Sequence, residues 1–139
     1  MARTVGDVMT KDPKTLDEGA PLVAAAKLMR DDDIGTVIVT SGDEVRGILT
    51  DRDIVIRAVA DDRDLAEVTV GDVCSPSVTT TTADEPVDQA LRTMEKEHVR
   101  RLPVVDGGRP VGLVSLGDLS EVADTGNTMR DIAQAPADS

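Results

Sequence analysis

No phenylalanine, tyrosine or tryptophan occurs anywhere in this chain of 139 residues. A domain of this size ordinarily draws much of its core from aromatic rings. Here the core must come from the 40 % of residues that are apolar, chiefly Val, Ala, Leu and Ile. Modules that stack bases on rings are excluded, as are aromatic cages for quaternary ammonium ligands. Cysteine and histidine occur once each, as Cys74 and His98, so neither an intramolecular disulfide nor a Cys/His metal cluster can form. Cys74 reads as a small core residue. No apolar run reaches the roughly 18–20 residues that span a bilayer. The segment Met1-Ala2-Arg3-Thr4-Val5-Gly6-Asp7 lacks the apolar stretch of a signal peptide, so the expectation is a soluble, cytoplasmic protein.

Positive charge is scarce too. Fifteen Lys and Arg face 27 Asp and Glu, a net charge of −12. Affinity for nucleic acid comes mostly from neutralised phosphates, so this surface repels it, and an anionic membrane surface is repelled likewise. The composition fits both an ordinary solvated acidic surface and an adaptation to high salt.

What the chain does contain is a repeat. Laid over each other in one constant frame, its two halves align without a gap: Val5-Gly6-Asp7-Val8 falls on Val70-Gly71-Asp72-Val73, Thr15 on Thr80, Pro21 on Pro86, Met29 on Met94, Gly47 on Gly112 and Asp53 on Asp118. Each copy reads β-α-β-β-α. A short β-branched strand (13–16, or 77–80) leads to a helix with Pro21 or Pro86 in its first turn, and Asp17 or Thr82 is the expected cap. The helix carries an apolar stripe, Leu22, Ala25, Ala26 and Met29 in one copy and Val87, Ala90, Leu91 and Met94 in the other. Hairpins follow at 34–40 with 45–50, and at 99–105 with 110–115, joined by turns containing Gly42 and Gly107. The predicted class is α+β, three-stranded sheets packed against helices. The boundaries are residues 1–62 for the first repeat, 63–69 for a polar connector, 70–124 for the second repeat and 125–139 for a loosely held tail.

Chemistry concentrates at the junction between the last strand and the second helix. Gly47-Ile48-Leu49-Thr50-Asp51-Arg52-Asp53 and Gly112-Leu113-Val114-Ser115-Leu116-Gly117-Asp118 both spell Gly-apolar-apolar-(Thr/Ser)-x-x-Asp. A hydroxyl followed three residues later by an acid is a capping box, contributing about 0.5–2 kcal/mol per helix. The same geometry offers a carboxylate to the diol of a ribose, and a hydroxyl with free amides to a phosphate. Both readings stand at this point.

The repeat with G-h-x-[ST]-x-x-D in each copy resembles a tandem pair of CBS domains, a Bateman module, over about residues 3–124, in the form of a small stand-alone CBS protein. The resemblance implies two repeats related by a pseudo-twofold axis and clefts for AMP, ADP, ATP or S-adenosylmethionine. It implies that Asp53 and Asp118 accept from ribose hydroxyls, and that Thr50, Ser115 and Arg52 meet the phosphate or ribose. Thr15, Ile34, Val37 and Ile38, with Thr80, Val99, Leu102 and Pro103, would line the adenine. Arg100 and Arg101, which replace Gly35 and Thr36 of the first copy, would serve as phosphate partners. The second copy has the Leu-Pro-Val-Val-Asp run at 102–106, whereas the first lacks the proline.

The function implied is a non-catalytic sensor that needs no cofactor, forms a homodimer through its helices and acts on a protein target in trans. The alternative is a ligand-free structural or protein-interaction CBS protein of the stress-response kind, in which the boxes serve only as caps. An enzyme is disfavoured, because the chain has no metal cluster, no activated nucleophile pair and no Walker-type loop.

Overall fold

The computed structural model describes residues 3–76 and 79–123. Ser77 and Val78 of the expected first strand of the second copy, and the expected tail 125–139, lie outside the described residues. The elements are α1 (Val5–Val8), β1 (Thr10–Lys11), β2 (Thr15–Asp17), α2 (Leu22–Asp32), β3 (Thr36–Ser41), β4 (Glu44–Thr50) and α3 (Asp51–Asp53), which runs into a π-helical stretch (Ile54–Val59). Then come α4 (Val70–Val73), β5 (Ser75–Pro76), α5 (Val87–Glu97), β6 (Arg101–Asp106), β7 (Arg109–Ser115) and α6 (Leu116–Val122). The class is α+β, as the repeat predicts.

Two compact units form. The leading unit holds residues 12–76 with the turn 107–110; the trailing unit holds 3–11, 79–106 and 111–123. In the leading unit the sheet order is β2-β3-β4-β5. β2 runs parallel to β3 with Thr15 opposite Ile38, and β4 is antiparallel to β3 with Thr50 opposite Thr36. In the trailing unit the order is β1-β7-β6. Among the described residues of the second copy's first strand, one parallel bridge forms, Thr81 to Val104, the repeat equivalent of the Leu16 to Val39 pairing.

The short segments that open each repeat are exchanged. α1 carries Val5 into the core made with Val87, Leu91, Leu102 and Leu119, whereas α4 carries Val70 and Val73 into the core made with Leu22, Met29, Val37 and Leu49. β1 then pairs with β7, Thr10 opposite Leu113, and β5 with β4, Ser75 opposite Ile48. Two glycines of the Val-Gly-Asp-Val repeat permit this docking. Gly6 N–H donates to Ala83 O at 2.8 Å and Gly71 N–H to Glu18 O at 2.9 Å. A Cβ on Gly71 would stand 2.9 Å from that same Glu18 oxygen, closer than real Cβ atoms come.

α2 and α5 are not capped by Asp17 and Thr82. Their N-cap residues are Pro21 and Pro86, with φ of −62° and −63° and extended ψ. The proline ring holds that φ, and the N–H it lacks would have had no partner there. Asp17 instead lies in β2 and accepts from Gly19 N–H at 3.1 Å, while Thr82 donates to Asp84 at 2.6 Å. Both helices end on a left-handed residue, Asp33 (φ 54°) and His98 (φ 57°), a conformation that Asp and His tolerate better than most. The predicted stripes are buried apart from Ala26, which is exposed.

α1 and α4 open with a carboxylate turned back on the chain. Thr4 N–H donates to Asp7 Oδ2 and Thr69 N–H to Asp72 Oδ2, each at 3.0 Å. These backbone hydrogen bonds are the main reason both carboxyls are held below their ordinary pKa of 3.8. A lowered folded pKa contributes stability that is complete above the unfolded value and lost as pH falls through the folded one. Asp7→Asn and Asp72→Asn are expected to flatten part of the fall in Tm between pH of about 5 and about 3, read by thermal denaturation across that range.

Candidate functional site

β4 and β7 both end on a hydroxyl residue from which a helix departs. At the first junction Thr50 Oγ1 accepts from Asp53 N–H at 3.2 Å, and Asp53 Oδ2 accepts from Thr50 N–H at 2.9 Å. At the second, Ser115 Oγ accepts from Asp118 N–H at 3.1 Å, and Asp118 Oδ2 accepts from Ser115 N–H at 3.2 Å. Both boxes are therefore closed, and each leaves chemistry unspent. One carboxylate oxygen, Oδ2, is engaged by the box, so Oδ1 of each aspartate is the one turned to other partners. Each hydroxyl accepts from an amide, so its own proton is kept for donation.

The preceding strand is fixed to the same junction. Asp51 N–H donates to Gly35 O at 3.0 Å, and Leu116 N–H to Arg100 O at 2.8 Å, again at equivalent positions of the two copies. In the leading unit this gathers Thr15, Ile38, Thr50 and Asp53 at one end of the sheet, since Thr15 opposes Ile38 and Thr36 opposes Thr50. Thr15 is exposed and Asp53 half-buried. In the trailing unit Thr80 is exposed beside the Thr81 bridge, and Ser115 and Asp118 are half-buried.

The expected adenine-lining residues divide by face. Val37 and Leu102 are fully buried within the two cores, with Ile34 and Val99 packed partly against them. Ile38 and Pro103, one position on, alternate to the other face of their sheets, and both are buried. Ile38 N–H donates to Lys14 O at 3.0 Å, so that donor is already used. Arg52, Arg100 and Arg101 are exposed, and Arg52 N–H is held by the Asp51 carboxylate at 2.8 Å.

Sequence reasoning passed over Arg57. Its Nε lies 3.9 Å from Asp53 Oδ1, and its Nη1 lies 3.5 Å from the carbonyl oxygens of both Val73 and Cys74. The signal was present as the i, i+4 spacing of Asp53 and Arg57. Nearby, Cys74 is buried, and that burial pushes its thiol pKa up. Among the described residues no group of three or more His, Cys, Asp or Glu is placed to hold a metal ion, and no helix is long and apolar enough to cross a membrane.

A family model described as CBS domain matches residues 5–60 and again 70–124. The chain is 36 % identical over 118 residues to hypoxic response protein 1 of Mycobacterium tuberculosis, covering 84 % of this chain and 82 % of that one. A crystal structure of hypoxic response protein I with two coordinated zinc ions is similar, with a TM-score of 0.76 and 35 % identity, over 86 % of this chain and 98 % of that one. The CBS domain pair of protein MJ0100, crystallised with 5′-methylthioadenosine and S-adenosyl-L-methionine, is similar with a TM-score of 0.73 and 30 % identity over the same shares.

Proposed function

Since the chain belongs to the CBS-domain family, we propose that it is a non-catalytic regulatory sensor of adenosyl ligands, AMP, ADP, ATP or S-adenosylmethionine, acting on a protein target in trans. One observation carries this reading: each closed capping box engages only the Oδ2 of its aspartate and uses its hydroxyl as an acceptor, so that Oδ1 and the hydroxyl proton lie outside the box. Asp53 and Asp118 accept from the ribose hydroxyls. Thr50 and Ser115 donate to a phosphate, with Arg52 in the first site and Arg100 and Arg101 in the second as positive partners. Thr15 and Ile38, and Thr80 and Pro103, flank the adenine. Val37, Leu102, Ile34 and Val99 back these strands from the cores. The adenosyl ligands of the MJ0100 pair support the ligand class.

The energies suffice. Micromolar binding needs about −8 kcal/mol, and two charge-assisted hydrogen bonds per ribose, at about 1.5–3 kcal/mol each, supply a substantial part. Ligand at about 100 times its Kd should stabilise the fold by about 2.7 kcal/mol. Thermal denaturation with each of the four ligands tests this. Asp53→Asn and Asp118→Asn are the informative variants, because the amide oxygen still accepts the cap N–H while the second acceptor is gone. The reading fails if none of the four ligands raises Tm, or if the double variant responds as wild type does. Lacking Trp and Tyr, the protein barely absorbs at 280 nm, so a bound nucleotide would dominate its ultraviolet spectrum.

The same reading includes a homodimer formed through the helices. The π-helical stretch leaves Val55, Ile56 and Val59 at 58, 44 and 54 % exposure. The repeat-related positions of Val55 and Ile56 are Ser120 and Glu121, so the apolar face belongs to the first repeat alone. Ile56→Glu is expected to shift the protein to monomer in sedimentation experiments without lowering its helix content. An unchanged dimer would place the interface elsewhere.

A further inference from the structure

We infer that Arg57 is a positioning residue that makes the Asp53 site unlike the Asp118 site and couples it to the segment 70–76. The inference rests on the reading of Asp53 as a ribose acceptor.

The two sites are alike at the box and differ one turn later. Asp53 corresponds to Asp118, but Arg57 corresponds to Val122. The backbone differs too. Ala60 N–H donates to Val55 O at 2.9 Å, i to i+5, whereas Ala123 N–H donates to Leu119 O at 3.1 Å, i to i+4. π-Helical turns are rare and gather at functional positions. The wide turn closed by Ala60 and Val55 contains the arginine that meets the site's carboxylate.

Three contacts define what that arginine does. Its Nε faces Asp53 Oδ1 at 3.9 Å, and the Asp53 side chain is only 16 % exposed. Its Nη1 is 3.5 Å from the carbonyl oxygens of Val73 and Cys74, at the C-terminal end of α4, where helix carbonyls attract a cation. Asp53 Oδ2 is meanwhile fixed by Thr50 N–H. One oxygen is thus bonded by the chain while the other faces a cation, which biases the carboxylate's orientation before any ligand arrives and leaves Oδ1 able to accept a hydrogen bond. Such preorganisation improves affinity by removing an ordering cost from the binding step.

The contacts also link two regions. Val73 and Cys74 lead directly into β5, which pairs with β4 through Gly47 opposite Pro76 and Ile48 opposite Ser75. A ligand that needs the Asp53 carboxylate in this orientation favours the state in which α4 and β5 are docked. By reciprocity, undocking them weakens that ligand. The trailing site, with Val122 at the corresponding position, has no such link through that residue.

The test uses the full chain carrying Asp118→Asn, so that Asp53 reports alone, with AMP and S-adenosylmethionine as probes in calorimetric titration. Arg57→Gln should weaken the bound probe about tenfold, and Arg57→Lys, which keeps the charge, should recover part of the loss. Hydrogen exchange supplies a readout that a merely structural arginine would not move. The probe should raise protection of amides in 70–76, and Arg57→Gln should abolish that rise. If Asp53→Asn abolishes binding while Arg57→Gln leaves affinity and the rise in protection intact, the inference is overturned and the site reading stands. If neither probe binds, or Asp53→Asn binds as before, both fall together. Should Arg57→Gln fail to fold, the Asp118→Asn chain still decides: binding without added protection in 70–76 refutes the coupling.

Discussion

Val5→Asp is expected to unfold the trailing unit first, although Val5 lies at the opposite end of the sequence from most of it. Val5 is fully buried in the core of Val87, Leu91, Leu102 and Leu119. A carboxylate placed there has no charged partner in that apolar cluster, a change that costs more than about 4 kcal/mol. The reciprocal variant is Val70→Asp, at the matching position of the second copy, where the side chain is equally buried among Leu22, Ala25, Val37 and Leu49. It should release the leading unit instead. Hydrogen exchange read by mass spectrometry distinguishes the two. Val5→Asp should deprotect 87–97, 101–106 and 111–115 before 22–32, and Val70→Asp should do the reverse. If each variant first loosened the residues that follow it in sequence, the exchange of opening segments would be refuted.

Gly47→Val should be the next most damaging change. A Cβ at Gly47 would run into the Ser75 carbonyl oxygen and stand 3.2 Å from Cys74 Sγ. The obstacle is backbone of β5, which cannot step aside without giving up its pairing with β4. Overpacking of this kind costs about 1–3 kcal/mol and occasionally more. A β-branched side chain meeting backbone belongs at the upper end. Cys74 provides the gauge, since it is the sole cysteine and is 6 % exposed. Displacing β5 should make it react rapidly with a thiol reagent under native conditions. Gly42→Ala is the control, because nothing lies within 4 Å of a Cβ there. It should cost only about 1 kcal/mol, for its positive φ, and leave Cys74 protected.

The repeat was readable because identical glycines, prolines and aspartates recur at one offset, and its apolar stripes place α2 and α5 closely. The hydroxyl–aspartate boxes were equally plain, since their geometry is local to four residues. What could not be read was non-local. Val-Gly-Asp-Val carries apolar residues and a cap, but four residues contain nothing that says which copy's core they enter. A side-chain acceptor near a helix start is a strong local signal, so the sequence points to Asp17 as the cap of α2, where the structure has Pro21. Tertiary pairing of β2 with β3 overrides it. Val37 and Ile38 look alike in sequence. Only the register of β3 sends the first into the core and the second to the opposite face. Arg57 was visible as a spacing, but its bond to the end of α4 requires the exchanged segment to be in place.

That exchange also dictates an order of events during synthesis. Residues 12–76 emerge early and contain the whole leading unit apart from the turn 107–110. Residues 3–11 emerge before them, yet the strand partners of Thr10 and Lys11 are Leu113 and Gly112. Until residues 112–113 have left the ribosome, β1 waits without its strand partner, at the synthesis rate of about 5–20 residues per second. Closing the β1–β7 pair joins Thr10 to Leu113, 103 residues apart, the kind of contact that slows folding. Residues 3–11 are therefore made before the leading unit and find their place after it.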